Sequence, residues 1–308
     1  MSNYELIKIG SEKKNDFILS WEAAFKRELS REIYEWIFNE ENIKYSLVYN
    51  GELVAGYCLY PLPCIWKGSR SIALLCNNVF VCPGHQGKQL FVKISKEALN
   101  DASRNSVAKV AYGIPNSLAL PGHKKVGWGV QYPVKFIEKK AISREGSPVN
   151  EWHYGTISDD VRRAFAACSE MSSKNRIFSI IKDEKFIKWR YESKPGVNYW
   201  FGFSKKKGHV SAYCVCKFYR EKKVLHVVDI DGTDEDSVRS LINDIEFLPE
   251  DFDRINLWSS TIHKMLFISE GYSVSSENDN FIAIHIDDLR PVFFESCVNL
   301  CLGDNDVY

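Results

Sequence analysis

The sequence predicts an α+β (mixed α/β) protein built as two similar folds in tandem. Three observations predict it. An apolar, β-branched run at 72–82 stops at Pro83-Gly84 and passes, through a glycine-containing loop, into residues with helical apolar spacing: Leu90, Phe91, Ile94, Ala98 and Ala102. Alternating and helical periodicities then succeed one another along the chain. Their order in residues 1–140 recurs, more weakly, between Asp159 and Ile286.

Composition narrows the function classes. The 308 residues suffice for two ordinary domains. Forty basic and forty acidic residues balance, which argues against a general nucleic-acid or anionic-membrane binder. No apolar run approaches the ~20 residues of a membrane helix. The N-terminus lacks a basic-then-apolar signal segment, so a cytoplasmic protein is expected. The nine cysteines are an odd number and most sit in apolar runs, as buried reduced thiols do. Cys214-Val215-Cys216 alternates along a strand and no pair has zinc-site spacing, so no metal is expected.

Taken in order, Tyr4 to Ile9 alternates as a strand. Phe17, Ile18, Trp21, Ala24 and Phe25 form the apolar stripe of a first helix. Ser30 is placed to cap a second helix whose inner face is Ile33, Trp36 and Ile37. Asn50-Gly51 joins strands 45–48 and 53–60 as a hairpin. A strand over 69–82 follows, then a helix from Gly87 to about Ser103, then a strand over 107–112.

The junction after the third strand is the most informative stretch. The first turn of a helix leaves successive N–H groups unpaired, and the helix dipole adds partial positive charge there. Gly87 allows a turn where a side chain would block a ligand, and Lys88 adds a cation. Such a device cradles phosphate, although strand–glycine–helix junctions also occur with nothing bound.

The segment Pro83, Gln86, Gly87, Lys88 resembles motif A of the GNAT superfamily of acyl-CoA-dependent N-acetyltransferases. In that motif a strand and a Pro precede Arg or Gln, two residues, Gly, one residue, and Gly or Ala. Gln89 stands where the motif has its first Gly and Phe91 where it has its last small residue. A second landmark, Pro115-Asn116-Ser117 followed by Val126-Gly127-Trp128, is similar to motif B, with Gly127 as a helix C-cap. The resemblance covers residues 1 to about 140. It implies tandem GNAT-like domains, each a central mixed, mostly antiparallel sheet flanked by helices. Residues 1–145 are the expected GNAT domain with an acyl-CoA pyrophosphate loop.

Residues 141–157 gather Gly, Ser and Pro and are expected to be a linker. Residues 146–308 are expected to form a degenerate GNAT-like domain. Its helix 159–171, hairpin 198–218, strand 224–230, helix 236–247, strand 254–258, helix 262–269 and closing strand 281–286 echo the first half. Trp189-Arg190-Tyr191 resembles a block that follows the first domain in larger relatives. At the counterpart of the loop stand Asp231, Asp234, Glu235 and Asp236, which would cap the helix and repel an anion. The second domain is therefore expected to support the fold or shape an acceptor pocket.

What the resemblance implies for chemistry follows. Val79, Val81, Gln86, Gly87, Lys88, Gln89 and Leu90 would bind acetyl-CoA as cosubstrate, and Asn116 would bond its pantetheine arm. Asn116 equally fits a turn that ends a strand. His123 opens a block, His123 to Trp128, at the position where relatives often carry a Tyr that donates to the departing sulfur; an exposed helix histidine is the alternative. Asn77 and Asn78 adjoin on one strand, so alternation turns them to opposite faces, and Asn78 is the expected cleft residue. A strand carboxylate common in relatives is absent; Glu22, Glu28, Asp229 or water remain as bases. Trp21, Trp36, Trp66 and Trp189 line a cleft or a core. The resemblance implies an N-acetyltransferase acting on a small-molecule amine, with an amino sugar of surface polysaccharide biosynthesis as first candidate. Aminoglycoside-type or peptidyl-amine transfer, and a GNAT-like binding module without transferase activity, are the alternatives.

Overall fold

A computed structural model describes residues 4–105, 108, 110–129, 131–141, 145–276, 280–285 and 298–305. The chain divides into two compact units, one of residues 1–62, 71–132 and 280–291, the other of 63–70, 133–279 and 292–308. The units are thus interleaved along the sequence, not divided at a single point near 145.

The first unit contains β1 (Glu5–Lys8), α1 (Lys14–Phe25), α2 (Arg31–Ile37), β2 (Ile43–Tyr49), β3 (Glu52–Trp66), β4 (Ser69–Val81), α3 (Leu90–Asn105), β5 (Val110–Gly113), α4 (Leu120–Val126) and β6 (Gln131–Val134). Ser30 caps α2, its hydroxyl accepting from the Ile33 N–H at 3.2 Å. Asn50 and Gly51 both take positive φ, as the tight hairpin requires. Strand alternation then gives the sheet two apolar faces. On one, Leu90, Ile94, Ala98 and Ala102 of α3 pack with Leu47, Val54 and Leu74. On the other, Phe17 and Trp21 of α1 and Tyr34 of α2 pack with Cys58 and Phe80.

Beyond a register shift between β2 and β3 at Leu47/Val48, that alternation breaks in β4. Leu74 and Cys76 belong to the α3 side, but beyond them Val79 and Val81 do, while Phe80 joins the α1–α2 side. A period of two changes parity only if one residue is inserted. Asn78, with φ of 47°, marks the insertion, a β-bulge. Asn77 and Asn78 therefore share the α1–α2 face, not the opposite faces that unbroken alternation predicts.

The second unit contains β7 (Phe136–Lys140), β8 (Glu151–Tyr154), α5 (Asp159–Ser173), β9 (Phe178–Ile180), α6 (Glu184–Ile187) with a π-helical turn over Lys188–Glu192, β10 (Trp200–Lys206), β11 (His209–Tyr219), β12 (Val224–Gly232), α7 (Glu235–Asp244), β13 (Arg254–Trp258), α8 (Lys264–Ser269) and β14 (Ser273–Val274). Its sheet runs β14-β7-β13-β12-β11-β10-β8, antiparallel except for β12 with β13. Residues 151–154 are thus an edge strand, not linker. Here too the register slips, between Val215 and Cys216 against Asp229 and Val227, leaving Val228 as the extra residue. The bulge of β4 has its counterpart in β12.

The expected closing strand of the second fold is the largest correction. β15 (Asn280–His285) does form, but it pairs antiparallel with β5, Ala283 opposite Gly113, and completes the first unit's sheet in the order β1-β2-β3-β4-β5-β15-β6. In the second sheet the neighbour of β13 is β7 instead. A last short strand, β16 (Val298–Asn299), lies parallel to β9, and Cys64–Trp66, in the end of β3 that belongs to the second unit, pair with β9 on its other edge.

A buried polar network fills the second unit beside β12. Asp231 is bonded by Arg176, by His263 Nε2 at 3.0 Å and by the Ser172 hydroxyl at 3.0 Å, so it does not cap α7; Asp234 does, accepting from the Ser237 N–H at 3.1 Å. The sequence leaves this open because a strand-end Asp points into its own sheet layer, not along the next helix. Lys182 lies 2.6 Å from Asp304 and 3.5 Å from Asp229, whose Oδ2 also accepts from the Tyr191 hydroxyl at 2.7 Å. Arg190 donates to the carbonyl oxygens of Gly303 and Asn305. Arg190 and Tyr191 thus hold residues 302–305 against this unit's own core. Burial opposes the Asp231 charge, yet Arg176 and His263 outweigh it and hold the carboxyl well below the usual range. Arg176→Met should leave that carboxylate buried without its guanidinium partner, lowering stability by up to about 3–5 kcal/mol in urea unfolding at neutral pH. The exposed pair partner Arg163→Ala should cost less than about 1 kcal/mol. Because the folded Asp231 pKa is depressed, its contribution should be complete above the unfolded value and fade as pH falls through the folded one.

Candidate active site

The loop between β4 and α3 is an exposed run of turns whose backbone is left-handed at three places: Gly84 at φ 82°, Gly87 at 76° and Gln89 at 58°. Glycine explains the first two. Gln89, the departure from the motif, keeps the left-handed conformation without being glycine. A Cβ added at Gly84 or Gly87 would meet no atom within 4 Å, so both face open space. The loop holds its shape from within: Gln86 Nε2 donates to the Val81 carbonyl at 3.1 Å, and Lys88 Nζ to the Gly84 carbonyl at 3.0 Å. His85 Nδ1 lies 3.1 Å from the Tyr4 hydroxyl, with the Tyr49 ring edge-on at 5.4 Å, which fixes the loop to β1 and β2. The sequence reading missed that clamp; the Tyr4, Tyr49 and His85 trio is too dispersed to signal it.

Past the loop's root the sheet opens. β4 and β5 pair over Ala73–Cys76 and Val110–Gly113. Beyond Gly113 the chain turns to the other neighbour, Asn116 bridging Asn280 and the Pro115 carbonyl accepting from the Phe281 N–H at 3.0 Å. Val79 and Val81 thus lie on the stretch of β4 beyond its pairing with β5. Asn78 sits at the opening, its Oδ1 accepting from the indole N–H of buried Trp21 at 3.0 Å. Asparagine suits the place twice, tolerating positive φ and offering an acceptor. Asn77 is buried beside it, and its Oδ1 has no partner among the described residues. Asn116 caps the turn into α4, its Oδ1 accepting from the Ala119 N–H at 2.9 Å.

His123 is buried, which removes the alternative of an exposed helix histidine. Its ring lies 5.2 Å from that of Phe91 and 5.0 Å from that of Trp128. Phe91, the second departure from the motif, fits because α4 offers Gly122 beneath it; a Cβ there would stand 2.6 Å from the Phe91 ring. Nδ1 of His123 is 3.0 Å from the Ala119 carbonyl, an acceptor, so Nδ1 carries the proton and Nε2 the lone pair. Burial lowers the imidazole pKa and the Ala119 bond only partly offsets it. The neutral ring predominates at neutral pH, so Nε2 has no proton to give a leaving group until it has first taken one.

The other candidates separate cleanly. Glu22 Oε1 accepts from the Leu29 N–H at 2.8 Å and closes the loop after α1. Glu28 is exposed. Asp229 belongs to the buried network of the second unit. Trp21, Trp36 and Trp66 are buried, and Trp189 is half-buried with its ring edge-on to Phe186. Eight cysteines are free buried thiols, and Cys297 lies outside the described residues. No cluster of three metal-ligating side chains and no helix long and apolar enough to cross a membrane occurs among the described residues.

Comparison with known proteins supports the fold. The sequence profile of the acetyltransferase (GNAT) domain matches residues 5–131. Solved structures of similar fold include a probable N-acyltransferase from Enterococcus faecalis (14% identity, TM-score 0.72, 92% of this chain and 72% of that one). A GCN5-related N-acetyltransferase from Anabaena variabilis is similar at 11% identity and TM-score 0.72, over 92% and 73% of the two chains. The N-myristoyltransferase of Saccharomyces cerevisiae, solved with myristoyl-CoA, is similar at 10% identity and TM-score 0.59, over 92% and 80%. At such identities the likeness is one of fold. A search of curated proteins returns no match. Residues 5–131, less than half of the chain, are thus similar to the acetyltransferase domain of the GNAT family.

Gln89 offers a direct test of the loop. Gln89→Gly relieves left-handed strain but adds unfolded-state entropy, so its stability should stay within about 0.5 kcal/mol of the parent. Gln89→Val should lose roughly 1–2 kcal/mol, because a β-branched residue resists positive φ. Equal urea midpoints for the two variants would mean the left-handed backbone at 89 is not held.

Proposed function

We propose that this protein transfers an acetyl group from acetyl-CoA to the amine of a small-molecule acceptor, with an amino sugar as the first candidate. The observation that carries the reading is the left-handed loop 84–89 at the start of α3, beside the part of β4 that lies beyond its pairing with β5. The fit is one of shape and charge. The missing side chains of Gly84 and Gly87 leave space against the loop, and the 16-residue α3 brings unpaired first-turn amides and its dipole. Backbone N–H groups of Gly87, Lys88, Gln89 and Leu90 would hold the pyrophosphate, with Gln86 bracing the loop and Lys88 adding charge. Val79 and Val81 would take the pantetheine arm by backbone hydrogen bonds, with Asn116 Nδ2 as a further donor. The left-handed backbone at Gln89 supports this reading over the alternative of a degenerate binding module, which the absent strand carboxylate still favours.

Bound acetyl-CoA supplies an activated thioester; the rest is done by placement and proton handling. Asn78 acts as a positioning residue, holding the bulge open through Trp21. His123, neutral with a free lone pair on Nε2, is suited to accept the proton the amine loses as its nitrogen bonds the acyl carbon. As the carbon–sulfur bond breaks, the same proton passes to the thiolate. The second unit, whose counterpart helix α7 is capped by Asp234 and opens with Glu235 and Asp236, would bind no coenzyme.

Two measurements test this. Calorimetry with acetyl-CoA should give one site per chain, and Gly87→Val should weaken it by at least about tenfold, roughly 1.4 kcal/mol. Two sites, none, or an unaffected variant would overturn the loop assignment. His123→Ala should lower turnover about 10²-fold while changing acetyl-CoA affinity little. Because burial depresses the His123 pKa and the neutral ring is the active form, the parent's rate should stay level through neutrality and decline only below the ordinary histidine range. An acidic limb centred above that range, or normal turnover in His123→Ala, would remove His123 from the mechanism.

A further inference from the structure

The second unit holds a cleft that acyl transfer at the first unit's loop leaves without a role. It opens on one face of the sheet across β7, β13, β12 and β11, with a volume of about 440 Å³. Three cations line it: Lys217, Lys222 and Arg254. Glu138 is the only carboxylate among the described lining residues, and it pairs with Arg254 at 3.2 Å. Neither lysine pairs with a carboxylate among the described residues. Each instead stands against the Tyr219 ring, Lys217 at 5.8 Å and Lys222 at 5.6 Å from its centre. Lys217 is half-buried. Burial without a counter-ion is unusual for lysine, which is ordinarily paired when it leaves water.

His226, at the floor of the same cleft, registers the imbalance. Burial is the main cause that lowers its pKa to about 4; Asn256 opposes the shift, and Lys217, Arg254 and Lys222 each add to it. Burial also lowers the Lys217 pKa, with Arg190 adding to the effect. The walls are aromatic, the rings of Phe136 and Tyr219 lying 6.5 Å and 6.2 Å from that of His226. A positive, partly desolvated floor between aromatic walls is the complement of an anion carried on an organic body.

We propose that this cleft binds a small phosphorylated molecule, its phosphate held by Lys217, Lys222 and Arg254 and its organic body lying between Phe136 and Tyr219. Three cations against one carboxylate leave a net charge of about two, matching a phosphate monoester, which carries about −1.5 to −2 at neutral pH. The guanidinium of Arg254 presents paired donors that fit phosphate oxygens. The volume exceeds what a bare phosphate fills and falls in the range of small-molecule sites.

The test uses the full chain and the ring signals of His226 in NMR spectra, assigned with His226→Gln. Uridine 5′-monophosphate is the probe, with uridine and inorganic phosphate as controls. The nucleotide should shift the His226 signals and raise its pKa from about 4, while uridine should do neither. Lys217→Met with Lys222→Met, both on the unit's surface strands and turns, should weaken the response at least tenfold. Gly87→Val should leave it unchanged, which separates this site from the coenzyme loop. Binding of inorganic phosphate as tightly as the nucleotide would reduce the cleft to an adventitious ion site and overturn the proposal. So would a response that survives the double lysine variant, or one lost with Gly87→Val.

Discussion

The extra residue in β4 is the constraint on which the candidate site depends. A strand that kept strict alternation would stay beside β5 and present a flat, continuous sheet. One inserted residue at Asn78 changes parity, and the strand's later residues, Val79 and Val81, then continue past the end of its pairing with β5. The backbone conformation this needs is unfavourable for most residues, and asparagine bears it at low cost. The Trp21 indole fixes the side chain of that residue, so α1 holds the bulge in place. The loop and the open strand edge both follow this one local departure.

The two units repeat the device and then use it differently. β12 carries the same inserted residue, and β12 and β13 pair only over Val224–His226 and Arg254–Asn256. In the second unit the region beside β12 is filled with charge pairs: Asp231 with Arg176, and Asp229 and Asp304 about Lys182. Residues 298–305 lie among them, Leu300 bonding Ser260 and the Asn299 side chain reaching Asp231 at 3.4 Å. A buried network of this kind is stable only when each charge keeps its partner. It leaves the second unit no exposed amide cradle like the first.

Compensation between neighbours explains the two departures from the motif in the first unit. Phe91 is large where a small residue is usual, and α4 answers with Gly122 at the point of contact. The same contact buries His123 between Phe91 and Trp128 and fixes its tautomer through the Ala119 carbonyl. The protonation state of the histidine is therefore set by how two helices pack, not by the residue's place in a motif.

Much of this was legible in the sequence. Helix α2 starts where Ser30 said it would, the Asn50-Gly51 hairpin turns as its residue types require, and the strand–loop–helix at 83–90 forms where glycine placement and apolar spacing put it. These are local properties, carried by the preferences of a few adjacent residues. What the tertiary structure decided is non-local. An alternating run such as 281–286 states that it is a strand, but not which sheet will take it, and pairing with β5 is settled by which edge stands open in the folded chain. Residues 151–154 became a strand because β10 offered an edge, overriding the turn-rich sequence around them. The shared face of Asn77 and Asn78, the burial of His123 and the partners of Asp231 likewise follow from packing over distances that no sequence window spans.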